Sequence, residues 1–306
     1  MPTVTTPDGD HAPTASASTE DRTADRSADR ASGPAPALTG AQADAYLRRI
    51  GAEGVSVGWG TGEGLRELHL RHLRSVPFEN LSLHLGEDVV LAEQALFDKV
   101  VGARRGGFCY ELNGLFAALL RTLGYRVDLL EARCFREDGG LSIPYDHMVL
   151  RVVDEEGRSR LADVGFGDHS QLPLELGERG EQADPGGVFR IVEAPEGDLD
   201  VVRDGTPQYR VDPRPRALGD FEVGSWYQRT SPASHFTRSL VCSRLTEEGR
   251  VTLRGAKLIV TDCGGRRERW LSGEEEVLAA YRDLFGVELD RLPHDPAAGQ
   301  DASPAG

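Results

Sequence analysis

The stretch Arg-Arg-Gly-Gly-Phe-Cys-Tyr-Glu-Leu-Asn at residues 104–113 places Cys109 behind a glycine pair and ahead of a strong helical pattern. Apolar residues follow at three- and four-residue spacing and stop at Gly124; they are Leu112, Leu115, Phe116, Leu119, Leu120 and Leu123. The pattern predicts a helix that begins at Cys109. Free N–H groups and the helix dipole favour an anion there, so we expect a lowered pKa for the Cys109 thiol.

A single buried cysteine is more often a core residue than a nucleophile, so the assignment depends on a base and an orienting acceptor. Residues 145–153 place His147 at the start of one β-prone run, and residues 160–168 place Asp163 inside a second. The polar turn at residues 154–157 predicts a hairpin that brings His147 near Asp163. An aspartate within an apolar strand is costly without a partner, which favours Asp163 as the acceptor.

Other residues compete for these roles. Asp146 precedes His147 directly, but neighbours on a strand point to opposite faces. Asp168 and His169 follow the glycines at 165 and 167 and are predicted to lie in a loop. Taken singly, each residue has a more common structural explanation: His147 as a hydrogen-bonded strand histidine and Asp163 as a strand-end turn residue.

With these motifs in place, the chain resembles the arylamine N-acetyltransferase family. The matching stretches include Arg-Gly-Gly-Phe-Cys at 105–109, Val-Pro-Phe-Glu-Asn-Leu at 76–81, Asp-Val-Gly-Phe-Gly at 163–167 and Ser-Pro-Ala-Ser-His-Phe at 231–236. The resemblance runs from about residue 40 to about residue 285. It implies an α+β fold with a cysteine-protease-like core, built from an N-terminal helical bundle, a central β-barrel and a C-terminal α/β lid.

The expected domain boundaries are 38–123 for the helical bundle, 124–220 for the barrel and 221–290 for the lid. Disordered tails are predicted at 1–37 and 291–306, since their small and polar residues cannot bury enough surface to offset ordering entropy. Within the lid, Ser272 and Glu275 form a capping-box pattern that predicts a helix start, and Gly286 predicts its end.

The resemblance also implies roles for individual residues. Cys109, His147 and Asp163 would form the catalytic triad. Phe78, Phe166 and Phe236 would line the acceptor pocket, and Gly165, Phe166 and Gly167 would form a turn that the cofactor approaches. Glu79 and Arg105 would brace the cysteine loop as a pair, because opposite charges buried apart are expensive. Asp146 departs from the family pattern, and its charge would stabilise an imidazolium or repel cofactor phosphates.

The implied reaction moves an acetyl group from acetyl-CoA, as co-substrate, to an arylamine, arylhydrazine or arylhydroxylamine through an acetyl-cysteine, with no metal. Three alternatives stay open: an amide synthase closing an ansamycin-type macrolactam, a cysteine hydrolase, and a binding module with a vestigial triad. His69 and His72 share a helix face, but without a third ligand we predict ordinary packing.

Composition limits the partners and the compartment. The 306 residues carry a formal net charge of −15, which argues against nucleic acid and anionic membranes as partners. A CoA thioester must therefore be received by a local positive patch. The four cysteines form no CxxC pair and no apolar signal segment precedes them, so we expect the cytoplasm. Arg133 and Arg136, which flank Cys134, are predicted to lie on a solvated face.

Overall fold

The computed structural model describes residues 38–55 and 57–297. The disordered tail predicted at 1–37 lies outside the described residues, as do residues 298–306 of the second one. Residues 291–297 of that second tail contact the body instead: Arg291 donates to the carbonyl of Leu85, and His294 N–H donates to the carbonyl of His84. The assignment of these seven residues to a tail is therefore corrected, whereas the three domain boundaries stay predictions.

In the described part of the chain, five α-helices precede the barrel: α1 Gly40–Arg49, α2 Gly62–Ser75, α3 Leu81–Leu85, α4 Glu93–Phe97 and α5 Cys109–Thr122. A π-helical turn at Asp98–Gly102 extends α4. Thr39 caps α1 in a reciprocal capping box with Gln42, and Thr61 caps α2. No helix among the described residues is long and apolar enough to span a membrane.

Helix α5 forms the centre of the main core. Its residues from Cys109 to Leu120 are all buried, and the chain turns at Gly124 with a φ of +93°, so the predicted helix and its end are confirmed. Tyr46, Leu65, Leu68 and Val152 belong to the same buried cluster. The helix that presents Cys109 is thus held largely by apolar contacts.

Eight antiparallel strands form the barrel: β2 Arg126–Cys134, β3 His147–Val153, β4 Ser159–Ala162, β5 Leu174–Glu175, β6 Gln182–Asp184, β7 Gly187–Glu193, β8 Leu199–Arg203 and β9 Thr206–Arg216. Their order is β5-β4-β3-β2-β9-β8-β7-β6. The side chain of Gln182 bonds both backbone polar groups of Glu175, which links the edge strands β6 and β5. The barrel is therefore nearly closed, as predicted.

The predicted hairpin is formed by β3 and β4, which pair with Leu150 opposite Ala162. Asp163 is the first residue after β4, and the expectation that it lies inside the strand is wrong by one residue. At this position the chain leaves the ladder, so the backbone N–H of Asp163 is free to bond a side chain instead.

The C-terminal part contains the helices α6 Glu222–Thr230, α7 His235–Arg238 and α8 Gly273–Ala280, and the strands β10 Val241–Leu245, β11 Gly249–Arg254, β12 Lys257–Asp262 and β13 Gly265–Trp270. A short strand from the helical region, β1 Phe78–Glu79, pairs with β10 and completes a five-stranded sheet. The N-terminal and C-terminal segments therefore share one sheet, and the whole is an α+β fold.

The start of α8 differs from the predicted capping box. Ser272 is the N-cap, but its side chain makes no capping bond, and its N–H is bonded by Glu276 rather than Glu275. A π-helical turn at Tyr281–Phe285 extends α8, and Gly286 ends it with a φ of +67°, as predicted.

Candidate active site

Cys109 occupies the first turn of α5 and lines a cavity of about 420 Å³. The glycine pair before it is required by close packing: a Cβ on Gly106 would lie 1.9 Å from the carbonyl oxygen of Pro77. Gly165 is required in the same way, because its Cβ would lie 2.7 Å from Cα of Cys109. The loop after β4 is thereby pressed directly onto the start of α5.

His147 and Asp163 meet as the hairpin predicts. Nε2 of His147 lies 2.8 Å from Oδ2 of Asp163, and both side chains are almost fully buried. The other carboxylate oxygen, Oδ1, accepts from Asn113 Nδ2 and from the Gly165 N–H, each at 2.9 Å. Charge-assisted bonds of this kind fix the carboxylate rigidly.

His147 and Asp163 each stabilise the charged form of the other. Burial disfavours a charged His147, but the charge and hydrogen bond of Asp163, together with Cys109, outweigh it and raise the pKa of His147 to about 10. Burial likewise opposes ionisation of Asp163, yet His147 lowers the pKa of that carboxyl below its usual range. The imidazole is therefore a stronger proton acceptor than a free histidine.

The thiol of Cys109 contradicts one expectation. Burial raises its pKa above the ordinary value, even though the hydrogen bond and charge of His147 and the backbone N–H of Met148 act in the lowering direction. The helix N-terminus alone does not make a thiolate, because desolvation of a buried charge is the larger effect. Deprotonation of Cys109 thus depends on His147.

Glu79 and Arg105 are a buried pair, with Arg105 Nε 3.1 Å from Glu79 Oε1. The same carboxylate accepts from the backbone N–H groups of Gly106 and Leu81. The pair thereby joins β1 to the glycine turn ahead of Cys109. A second pair, Lys99 with Glu111 at 2.6 Å, holds the first turn of α5.

The structure brings all three predicted phenylalanines to the cavity. Phe78, Phe166 and Phe236 line it together with Cys109 and His147. Phe166 packs edge-on against the imidazole of His147, with the ring centroids 5.2 Å apart, and Phe78 lies 6.0 Å from Phe236. The cavity wall beside the thiol is therefore aromatic.

The predicted cofactor turn divides between two cavities. Gly165 lines the cavity that contains Cys109, Phe166 lines both this cavity and a second one beside it, and Gly167, with a φ of +96°, lines only the second. Arg136 and Cys134 also line the first cavity, and the Arg136 side chain is 57% exposed, so it lies on a solvated face as expected. Asp146 lies there too and accepts a 2.5 Å hydrogen bond from Gln228.

Sequence reasoning missed several residues around the pair. His169, expected in a loop, is buried, and its ring lies 4.9 Å from Phe166 and 5.2 Å from Tyr209. Burial lowers the pKa of His169 to about 4, so it is neutral. Tyr209 packs 5.3 Å from His147. The contacts of Tyr209 with His147 and His169 have no local sequence signal, because Tyr209 lies in β9, far from both histidines in the sequence.

His69 packs on Phe116 within the helical core, as predicted, but it also reaches the site. Its Nε2 accepts the N–H of Asp163 at 3.2 Å, so Nδ1 donates to the carbonyl of Gln171. Burial lowers the pKa of His69, which keeps it neutral. Within residues 38–55 and 57–297, no group of three or more His, Cys, Asp or Glu side chains is placed to hold a metal.

Comparisons with known proteins agree with this geometry. A family model described as N-acetyltransferase matches residues 62–293. An arylamine N-acetyltransferase from Mycolicibacterium smegmatis is 37% identical over 84% of this chain and 94% of its own length. The chain belongs to the arylamine N-acetyltransferase family. It is therefore an acetyltransferase, an enzyme that transfers acetyl groups.

Solved structures show the same fold. The arylamine N-acetyltransferase from Salmonella typhimurium has a TM-score of 0.75 and 30% identity, covering 83% of this chain and 94% of that one. The Mycobacterium marinum enzyme, solved in complex with CoA, has a TM-score of 0.72 and 32% identity, covering 79% and 92%.

Proposed function

We propose that this enzyme transfers an acetyl group from acetyl-CoA to an arylamine, arylhydrazine or arylhydroxylamine through an acetyl-Cys109 intermediate. The observation that carries the proposal is the hydrogen-bonded pair of His147 and Asp163, with His147 and Cys109 lining the same aromatic cavity. The complex of the Mycobacterium marinum relative with CoA supports a CoA thioester as the donor.

In the first half-reaction, Asp163 accepts the Nε2–H of His147, so Nδ1 is the nitrogen that exchanges a proton with the thiol. Because the pKa of His147 is raised to about 10, the imidazole holds the proton that Cys109 gives up, and the sulfur attacks the thioester carbonyl as a thiolate. The carbon–sulfur bond to CoA then breaks, and the CoA thiolate recovers the proton from the imidazolium. One thioester replaces another, so this step is close to energetically neutral.

In the second half-reaction the acceptor amine attacks the carbonyl of acetyl-Cys109. His147 removes the proton that the nitrogen loses and returns it to the departing Cys109 thiolate. The product is an amide, which is more stable than a thioester and draws the reaction forward. Backbone N–H groups at the start of α5 would stabilise the oxyanion of each tetrahedral intermediate, a contribution of about 3 to 4 kcal/mol per donor in other enzymes.

The cavity wall accounts for the choice of an aromatic acceptor. Phe78, Phe166 and Phe236 offer apolar faces and edges against which a flat ring packs. Aromatic amines also have low basicity, so their nitrogen lone pair is free at neutral pH. The four described cysteines are free thiols, which supports the cytoplasm as the proposed compartment.

Intact-protein mass spectrometry tests both half-reactions. Mixing with acetyl-CoA should add about 42 Da, one acetyl group in place of a proton, at Cys109. The adduct should persist without acceptor and vanish when an arylamine is added. Cys109→Ala should take no acetyl group, whereas the exposed-cysteine control Cys263→Ala should react normally. An adduct on another residue, or rapid loss to water alone, would contradict the proposal.

A further inference from the structure

The cavity beside Cys109 has a polar wall that the proposed reaction does not use. Its side chains come from strand β2, from the loop at residues 142–146 and from helix α6. The members of this polar wall are Cys134, Ser142, Asp146, Tyr227 and Gln228. Among the described residues that line the cavity, Asp146 is the only carboxylic acid.

The backbone at Asp146 is held by two helices. The Tyr110 hydroxyl of α5 lies 2.7 Å from the carbonyl oxygen of Tyr145 and 3.0 Å from that of Asp146. Helix α6 packs so closely that a Cβ on Gly224 would lie 2.2 Å from the Tyr145 carbonyl oxygen. Tyr145 has a φ of +59°, a left-handed conformation that is uncommon outside glycine. Asp146 therefore follows a backbone turn with fixed contacts on both sides.

The protein satisfies the Asp146 carboxylate only in part. Its Oδ1 accepts from Nε2 of Gln228 at 2.5 Å, and the Ser234 hydroxyl holds Gln228 through a 2.6 Å bond to Oε1. Its Oδ2 accepts no hydrogen bond from a nitrogen or hydroxyl group of any residue that the structure describes. The Cys134 thiol, a weak donor, is also close: burial first, and then Asp146, raise the pKa of Cys134 well above its ordinary value.

No described arginine or lysine forms an ion pair with Asp146. Two exposed arginines line the same cavity, but both are bonded elsewhere. Arg136 pairs with Asp138 at 3.1 Å, and Arg238 donates to the carbonyl of Ser234. A half-buried carboxylate is costly unless donors or a cation compensate for the lost water. The free oxygen of Asp146 is thus available to a ligand in the cavity.

The charge of Asp146 reaches the reacting sulfur. Burial is the first cause of the raised pKa of Cys109, and the negative charge of Asp146 adds to it. An acceptor that attacks acetyl-Cys109 must therefore enter the field of this carboxylate. The phenylalanines hold the ring of such an acceptor, and the polar wall meets what the ring carries.

We propose that Asp146 selects the acceptor: it favours aromatic amines whose ring also carries a cationic or N–H donating substituent, and it disfavours those whose ring carries a carboxylate. The inference rests on the proposed function. A cation or an N–H group gives Oδ2 a charge-assisted hydrogen bond. A ring carboxylate would instead bring two negative charges together in a partly dehydrated cavity. Selection of this kind combines an attractive contact with a repulsive one.

Three acceptors of similar size test the preference. At neutral pH para-(aminomethyl)aniline carries an ammonium group, para-aminobenzoate carries a carboxylate, and para-methylaniline is uncharged; each keeps a free aromatic amine. The meta isomers cover the second ring position. In a double-displacement reaction, kcat/KM for the acceptor depends only on the second half-reaction, so effects of Asp146 on acetylation of Cys109 do not enter it. The uncharged acceptor reports any general loss of activity.

Asp146→Asn keeps the shape of the side chain and removes its charge. The kcat/KM ratio of the cationic to the carboxylate acceptor should fall about tenfold or more in at least one isomer set. Asp128→Asn is the matched control, because Asp128 is also a half-buried aspartate but pairs with Arg151 and lies outside the cavity. It should leave both ratios unchanged. Ratios that stay constant in Asp146→Asn, or that fall equally in Asp128→Asn, would overturn the inference.

Titration of the free enzyme, followed by NMR of the ligand, separates this inference from the chemistry at Cys109. The dissociation constant of the (aminomethyl)aniline isomer that the wild type binds more tightly should rise about tenfold or more in Asp146→Asn and stay at the wild-type value in Asp128→Asn. If acetyl-CoA leaves Cys109 without an acetyl group, the proposed function fails, and the titration still decides the role of Asp146. A dissociation constant that Asp146→Asn does not change refutes that role even in a fully active enzyme.

Discussion

Nε2 of His147 lies 2.8 Å from Oδ2 of Asp163, and the other oxygen of that carboxylate is held by Asn113 and the Gly165 N–H. Both oxygens of the Asp163 carboxylate thus have hydrogen-bond partners within the protein. The proton-transfer chemistry of the proposed reaction depends on this one hydrogen bond, because it sets which nitrogen of His147 meets the thiol.

Asp163→Asn should lower kcat/KM for acetyl transfer by about three to four orders of magnitude. The amide removes the negative charge that stabilises the imidazolium, and it allows the imidazole to turn to the wrong tautomer. Steady-state kinetics with acetyl-CoA and an arylamine measure the loss. Asp283→Asn, at an exposed surface ion pair, is the control and should retain activity. A loss below about tenfold would mean that another acid orients His147.

The pH dependence of stability should follow His147. Its pKa is raised from 6.5 to about 10 in the folded protein, so the folded protein binds this proton more tightly than the unfolded chain does. The resulting stabilisation is complete below about pH 6.5 and is lost as pH rises through about 10. Urea unfolding of wild type and His147→Gln should show a stability difference that shrinks across this range. A difference that does not change with pH would contradict the raised pKa.

Gly165→Ala should disturb the site while Gly177→Ala should not. A Cβ at residue 165 would lie 2.7 Å from Cα of Cys109 and 2.8 Å from Nδ2 of Asn113, whereas a Cβ at residue 177 meets nothing within 4 Å. We expect Gly165→Ala to lower the free energy of unfolding by about 1 to 3 kcal/mol and to slow acetylation of Cys109. Thermal unfolding and single-turnover mass spectrometry measure the two effects.

Arg105→Ala should destabilise the protein by roughly 3 kcal/mol or more, because it leaves Glu79 buried without its nearest positive partner. Arg282→Ala removes an ion pair of which both partners are exposed and should cost less than about 1 kcal/mol. Denaturant unfolding of both variants tests the contrast. Equal costs would show that the buried pair does not brace the cysteine loop.

Local patterns were sufficient for the elements that carry the site. The apolar spacing after Cys109 predicted helix α5 and its end at Gly124, and the polar turn at residues 154–157 predicted the hairpin that joins His147 to Asp163. These predictions succeeded because helix periodicity and turn chemistry act over a few residues.

Contacts between distant segments could not be predicted in this way. His169 packs against Phe166 and against Tyr209, which belongs to strand β9. The edge strand β1, which contains Phe78, pairs with β10, more than 160 residues further along the chain. The pKa of Cys109 was expected to fall and instead rises, because burial is a property of the packed structure.

The sequence by itself determined the order and local setting of Cys109, His147 and Asp163, since a helix start and a hairpin are written in neighbouring residues. Only the tertiary structure decided which atoms surround them. It enclosed the thiol, held Asp163 through Asn113, and placed Gln228 of α6 against Asp146. Strand register and burial set these contacts, and both arise only when remote segments pack together.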